Sequence, residues 1–252
     1  MAIQITPLIQ TRFSQHLFPK DLSDSWPTYM LEYPTSELFY GDGRLERYED
    51  FTIVAFNSEH PDILLGRGFS VPFRFDSSLG RTELPDGGWD TVVQWADDDQ
   101  VYQRKPTAVS ALEITLHSSL KGQGLSLRML AAMKENAKHL GFNHLYAPVR
   151  PSHKHLEPET PMTDYAYRVR EDGLPSDPWL RVHVRAGGEI VKIAPCSMVI
   201  SGSLASWQRW TGLTFERSGI YTVPYALAPV HVSIEQNHVV YVEPNVWMRH
   251  AL

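Results

Sequence analysis

The chain has 252 residues, 42% of them hydrophobic and 21% charged, with a formal net charge of −6. That balance suits a folded protein with a sizeable core, and it excludes a global basic field that would draw the chain to DNA or RNA. A single cysteine, Cys196, rules out an intramolecular disulfide and fits a reducing compartment. Met1–Gln15 shows no apolar run behind a basic start, and no window approaches the roughly 20 apolar residues of a membrane span. A cytoplasmic protein is expected, with neither nucleic acid nor membrane as partner.

The first forty residues are polar and aromatic, and Pro7, Pro19, Pro27 and Pro34 break any long element there. Phe51–Asn57 and Ile63–Phe75 read as two strands separated by a turn at Ser58–Pro61. A loop around Leu84–Gly88 leads to a short predicted helix at Trp89–Asp97. Val109–His117 alternates, which puts Leu112, Ile114 and Leu116 on one face of a strand and Glu113, Thr115 and His117 on the other. The glycine-containing loop Ser118–Gly124 follows. From Leu125 the period becomes helical: Leu125, Met129, Leu130, Met133, Ala137 and Leu140 form one stripe, and Gly141 is a C-terminal cap. Asn143–Val149 reads as another strand, ending among Pro148 and Pro151.

Ser152–Pro178 is rich in proline and charge. Pro178–Arg185 is a helix candidate with proline at its start, stopped by Gly187 and Gly188. Further elements are expected at Glu189–Ile193 (strand), Ser203–Trp210 (helix), Ile220–Tyr225 (strand) and His238–Val242 (strand). The mixture gives an α+β (mixed α/β) fold with one main sheet.

The strongest chemical signal is the strand, loop and helix around Gly122. Glycines let backbone N–H groups converge on one point, and the first turn of the helix adds unpaired N–H groups and a positive dipole end. Lys121 adds a charge. Such a nest suits a pyrophosphate. A dinucleotide fingerprint would need a third glycine where Leu127 stands, and the P-loop pattern is absent. An ordinary strand-to-helix turn is the alternative to a phosphate nest.

Ser119-Leu120-Lys121-Gly122-Gln123-Gly124 instead resembles the CoA-binding motif of the GNAT acetyltransferases, Arg/Gln-x-x-Gly-x-Gly/Ala, with Ser119 departing at the first place. The block LEITLHSSLKGQGLSLRMLAAM is similar to stand-alone members with no assigned substrate. The resemblance covers roughly Val109–Pro151. It implies a GNAT-like fold: a mostly antiparallel mixed sheet, flanked by helices, with two parallel strands that splay. It also implies one such domain over residues 1–252, with an N-terminal extension over about 1–50 and an extended C-terminal half over about 152–252. The co-substrate implied is acetyl-CoA or another acyl-CoA, and no metal is expected.

On the same resemblance, pantetheine enters between the splayed strands against Ile114 and Leu116, the backbone near Leu112 polarises the thioester carbonyl, and Lys121, Gly122, Gln123, Gly124, Leu125 and Ser126 hold the pyrophosphate. Lys121 or Arg128 would compensate for Ser119. Glu113 is a candidate base for the attacking amine; its other reading is an ion-paired or solvated strand glutamate. GNAT enzymes often use a tyrosine to protonate the leaving thiolate. The matching position here is His183, whose ordinary pKa near 6.5 would let it donate; its other reading is a surface or core histidine.

The acceptor implied is the amine or hydroxyl of a small molecule, reached by direct attack in a ternary complex, and a homodimer is compatible with this reading. Two rival readings are a non-catalytic acyl-CoA-binding protein of the same fold and a metal-dependent β-rich enzyme using His153, His155 and Glu157. Arg150 and Lys154 read as solvated loop charges, or else as ligands for an acidic group of the acceptor. Trp179, Trp207, Trp210, Tyr221, Tyr225 and Trp247 read as core or pocket aromatics.

Overall fold

The computed structural model describes residues 2–11, 13, 22, 26–41, 43–120 and 122–252. Strand β1 (Ile3–Pro7) is followed by two short helices, α1 (Thr28–Leu31) and α2 (Glu37–Tyr40). Pro27 and Pro34 stand before these turns and keep them short, as proline at a helix start allows. Strands β2 (Ile53–Asn57) and β3 (His60–Phe73) form a hairpin, then come α3 (Gly88–Val101), β4 (Ala108–Leu116), α4 (Leu125–His139) and β5 (His144–Val149). The C-terminal part adds α5 (Met162–Ala166), α6 (Pro178–Arg185), β6 (Gly188–Gly202), α7 (Leu204–Thr211), β7 (Gly219–Tyr221), β8 (Val230–Ser233) and β9 (His238–Ala251).

Among the described residues nine strands form one sheet in the order β1-β2-β3-β4-β5-β9-β8-β7, with β6 on the other edge of β9. Every described pairing is antiparallel except β4 with β5. That parallel pair is short: Val109 opposes Leu145, Ser110 opposes Tyr146, and the ladder stops. β5 meanwhile runs on against β9 as far as Val149. From Ala111 onward β4 and β5 therefore part, and the splay inferred from the resemblance is present.

Helices cover both faces. One core contains Trp89, Val92 and Val93 of α3, Phe69 and Phe73 of β3, and Trp207, Tyr241 and Trp247. The other contains Leu125, Met129, Leu130 and Met133 of α4, with Leu180 of α6. Burying a large side chain of this kind contributes about 1.5–3 kcal/mol, and Trp207 and Trp247 are fully buried. These two aromatics are core. The α4 stripe matches its helical period, except that Leu140 is exposed. Gly141, at φ +90°, ends the helix as the N–H of Phe142 bonds back to the carbonyl of Ala137.

Strand β1, helix α5 and strand β8 have no counterpart in the sequence reading, and three expected strands differ most in length. β6 and β9 are 15 and 14 residues long, far beyond Glu189–Ile193 and His238–Val242. Register shifts between Ile190 and Lys192, and between Ala194 and Met198, break the alternation of β6. Pro244 of β9 lies opposite the second shift, where a missing N–H is tolerated. The third strand, β7, is shorter than expected and ends at Tyr221.

Candidate active site

A cavity of about 990 Å³ opens where β4 and β5 part. It is lined by Gly122 and Ser126 of the glycine loop, by Ala111–Leu116 and Ala147–Val149 of the parted strands, and by Tyr33, Glu37, Tyr40, Arg67, Arg150 and Glu243. The glycine end is built from backbone. Gly122 and Gly124 adopt φ +79° and +73°, a region that L side chains enter at a cost of about 1–2 kcal/mol. A methyl at either would meet nothing within 4 Å, so here glycine serves conformation, and the space above the loop is open. Gly124 is the N-cap of α4, and no side chain caps that helix end. The N–H groups of its first turn are thus available to an anion. Ser119 is taken up locally, its hydroxyl 2.7 Å from His117 Nδ1, and its carbonyl accepts from the Gln123 amide at 2.9 Å. Arg128 turns away, donating to the carbonyl of Ile3. Lys121 lies outside the described residues.

The middle of the cavity corrects the strand reading. β3 opposes Ser70 to Ala111 and Phe69 to Glu113, so Leu112 is an extra residue, a β-bulge. One added residue reverses the alternation beyond it. Leu112 packs with the aromatic core, whereas Ile114 and Leu116 pack with the α4 core. The three do not share a face as their spacing predicts. The bulge also leaves Leu112 without a cross-strand partner in β3, beside the gap from which β5 has departed.

The same reversal swings Glu113 toward the N-terminal segment. Its side chain is 4% exposed and sits 2.8 Å from Arg67 Nε, itself 4% exposed. It also accepts from the hydroxyls of Tyr40 and Thr115, each at 2.6 Å, while Trp26 donates to Thr115. Across the gap, Glu243 is fully buried and accepts from Arg150 Nε at 3.0 Å, from Tyr241 at 2.9 Å and from the Asn245 amide at 3.1 Å. Burial pushes the Tyr40 and Tyr241 hydroxyls well above their usual range, with the adjacent carboxylates adding to the effect. Tyr33 donates to Asp90, whose carboxyl burial raises to about 6. Neither Arg150 nor Lys154 is a solvated loop charge. Lys154 is buried, with its ammonium on the carbonyls of Glu157, Pro158 and Leu227.

His183 lines the cavity beside Trp179, on α6, whose N-terminus Asp177 caps at the N–H groups of Trp179 and Leu180. It is 2% exposed, and its Nδ1 lies 2.9 Å from Nε2 of the buried His250. Burial, reinforced by His250, pushes its pKa down to about 3; His250 falls to about 4, by burial and the nearby Lys134. The sequence reading gave His183 an ordinary pKa, but the desolvated pair is neutral at pH 7. His250 had no signal in the sequence, although Gly188 permits the contact: a Cβ there would come within 2.5 Å of its ring. Among the described residues, no group of three or more His, Cys, Asp or Glu is arranged to hold a metal. Glu157 faces Arg168 instead.

No family model matches the chain. Over 257 residues it is 30% identical to the arginine N-acetyltransferase avaD of Aspergillus versicolor, covering 92% of this chain and 87% of that protein. The chain belongs to the GNAT superfamily. Among solved structures, this GNAT protein is similar to the loading GNATL domain of CurA from Lyngbya majuscula, with a TM-score of 0.55 and 15% identity over 100% of this chain and 98% of that one. It is also similar to the GphF GNAT-like decarboxylase in complex with isobutyryl-CoA, with a TM-score of 0.50 and 12% identity over 100% and 99%. These two likenesses are of fold. The GNAT fold expected from the glycine loop is thus present, and the protein is an N-acyltransferase that takes an acyl-CoA co-substrate and an amine acceptor.

Proposed function

We propose that the enzyme transfers an acetyl group from acetyl-CoA to the α-amino group of arginine or a close relative. The reading is carried by one observation: a single cavity joins the glycine loop, the open edge of β4 and two buried Arg–Glu pairs. The arginine acceptor named for the 30% identical relative supports it. The guanidinium stays protonated at any working pH and cannot attack. The α-ammonium is far more acidic than the guanidinium, so a base can free this amine to attack.

In this reading the pyrophosphate lies on Gly122–Ser126 with Lys121, and pantetheine runs along Ile114 and Leu116. The thioester oxygen meets the N–H of Leu112 at the bulge, a donor of the kind whose removal costs about 3–4 kcal/mol of transition-state stabilisation. Glu113 receives the proton of the ammonium, directly or through a water. The free amine adds to the carbonyl carbon, the C–S bond breaks, and the proton that the nitrogen sheds as the amide forms passes through solvent to the departing CoA thiolate. His183, neutral in its buried pair, offers a hydrogen bond to that sulfur rather than a proton from an imidazolium. The test is an amine panel with acetyl-CoA, following thiol release and identifying products by mass spectrometry. N-acetylarginine is the expected product; turnover confined to amines without a cationic side chain overturns the reading.

A further inference from the structure

Three carboxylates line the cavity, and they are not equivalent. Glu113 and Glu243 are buried, and each is already met by an arginine and two further donors. Glu37, on α2, is exposed and lines the same cavity, and its carboxylate has no ion pair or hydrogen-bond partner among the described residues. The two buried pairs cancel their own charges. Glu37 is left as a negative group on this wall with no ion-pair partner among the described residues, and it attracts cations to the cavity. Arg150 is the complement. Its Nε is used by Glu243 and its Nη2 by the carbonyl of Tyr225, while Nη1 has no partner among the described residues and the side chain is 20% exposed. Guanidinium donors fixed in this way suit a carboxylate.

We propose that Glu37 and Arg150 set acceptor specificity, Glu37 binding the cationic end of the acceptor side chain and Arg150 Nη1 binding its α-carboxylate. This rests on the arginine reading and deepens it: the site selects a zwitterionic amino acid with a cationic tail, by one contact at each end. The reacting amine lies next to the carboxylate that Arg150 holds. Glu37 acts at the far end, where it touches no reacting atom.

The experiment compares kcat/KM for arginine, citrulline (same shape, neutral tail) and agmatine (no carboxylate). The wild type is expected to favour arginine over both. Glu37→Gln should lower the arginine-to-citrulline ratio about tenfold, as losing a charge-assisted hydrogen bond does, while the arginine-to-agmatine ratio holds; Glu37→Asp should keep most of the preference. Arg150→Lys should lower the arginine-to-agmatine ratio and spare the other. If that variant fails to fold, arginine methyl ester on the wild type reads the same contact and should react about tenfold more slowly than arginine. A wild type that acetylates arginine, with both ratios unmoved in the variants, overturns the specificity roles and leaves the acceptor reading standing. A wild type with no arginine turnover overturns both.

Discussion

On the side of the cavity where we propose that acyl-CoA binds, the available groups are backbone: N–H groups at Gly122–Ser126, the first turn of α4 and the parted edge of β4. On the acceptor side they are side chains drawn from five places: Tyr33–Tyr40, Arg67, Glu113, Arg150 and Glu243. The donor side is open and stays functional only if its loop keeps positive φ at two glycines. On the acceptor side Arg67, Glu113 and Glu243 are buried, and that side stays folded only if these charges remain paired. A backbone cradle tolerates changes of side chain and so fits a co-substrate shared by a whole superfamily. A side-chain wall can be rebuilt for each acceptor.

The largest effect is expected on the acceptor side. Glu243→Ala would leave Arg150 beside a cavity left by a fully buried carboxylate, and it would strip partners from Tyr241 and Asn245. Breaking a buried pair in this way costs about 3–5 kcal/mol, read as a fall in the urea midpoint. A loss within 1 kcal/mol would show that water reaches the pair.

Next comes pH, through the histidine pair, of which His183 lines the cavity. Both folded pKa values, about 3 and about 4, lie below the unfolded value near 6.5. The unfolded chain therefore binds more protons in that window, and stability is complete above about pH 6.5 and falls as the pH drops toward 4. By pH 5 the loss is about 2 kcal/mol per histidine. Asp90, raised to about 6, opposes this: the folded state takes up a proton there first, which returns about 1 kcal/mol over the same range. The net loss from pH 7.5 to pH 5 is about 3 kcal/mol, and His183→Gln should remove about 2 of it. An unchanged slope in denaturant melts at the two pH values would mean that His183 does not titrate as a buried neutral group.

The donor side was legible in the sequence because its parts are contiguous. Strand alternation, two glycines and a helical stripe all fall within Val109–Leu140, and each is a local property. Even there Leu112 misled, because a bulge is one residue of phase slip that hydrophobicity does not mark. The acceptor side was nearly illegible. Glu113 could be named only because it lay on the legible strand, and its partners Arg67 and Tyr40 stand 46 and 73 residues away. Nothing in the sequence pairs Arg150 with Glu243 across 93 residues, or His183 with His250 across 67. Those contacts come from β9, whose second half carries little strand signal because Glu243-Pro244-Asn245 interrupts its apolar run.

The smallest expected effect is a gain, and it asks how far the backbone alone holds the donor. Ser119 occupies the place where the GNAT motif carries arginine or glutamine, and its hydroxyl is spent on the half-buried His117 ring. If the cradle of N–H groups does most of the binding, an arginine there adds one exposed contact to a phosphate, which solvent and salt screen to less than about 1 kcal/mol. Ser119→Arg should then lower KM for acetyl-CoA about threefold at low ionic strength, with the gain fading in added salt. A gain of tenfold or more that survives salt would mean that this position belongs to the binding site proper and that the serine had weakened it. The donor side would then depend on a side chain as the acceptor side does, and the contrast between the two would narrow to one of burial.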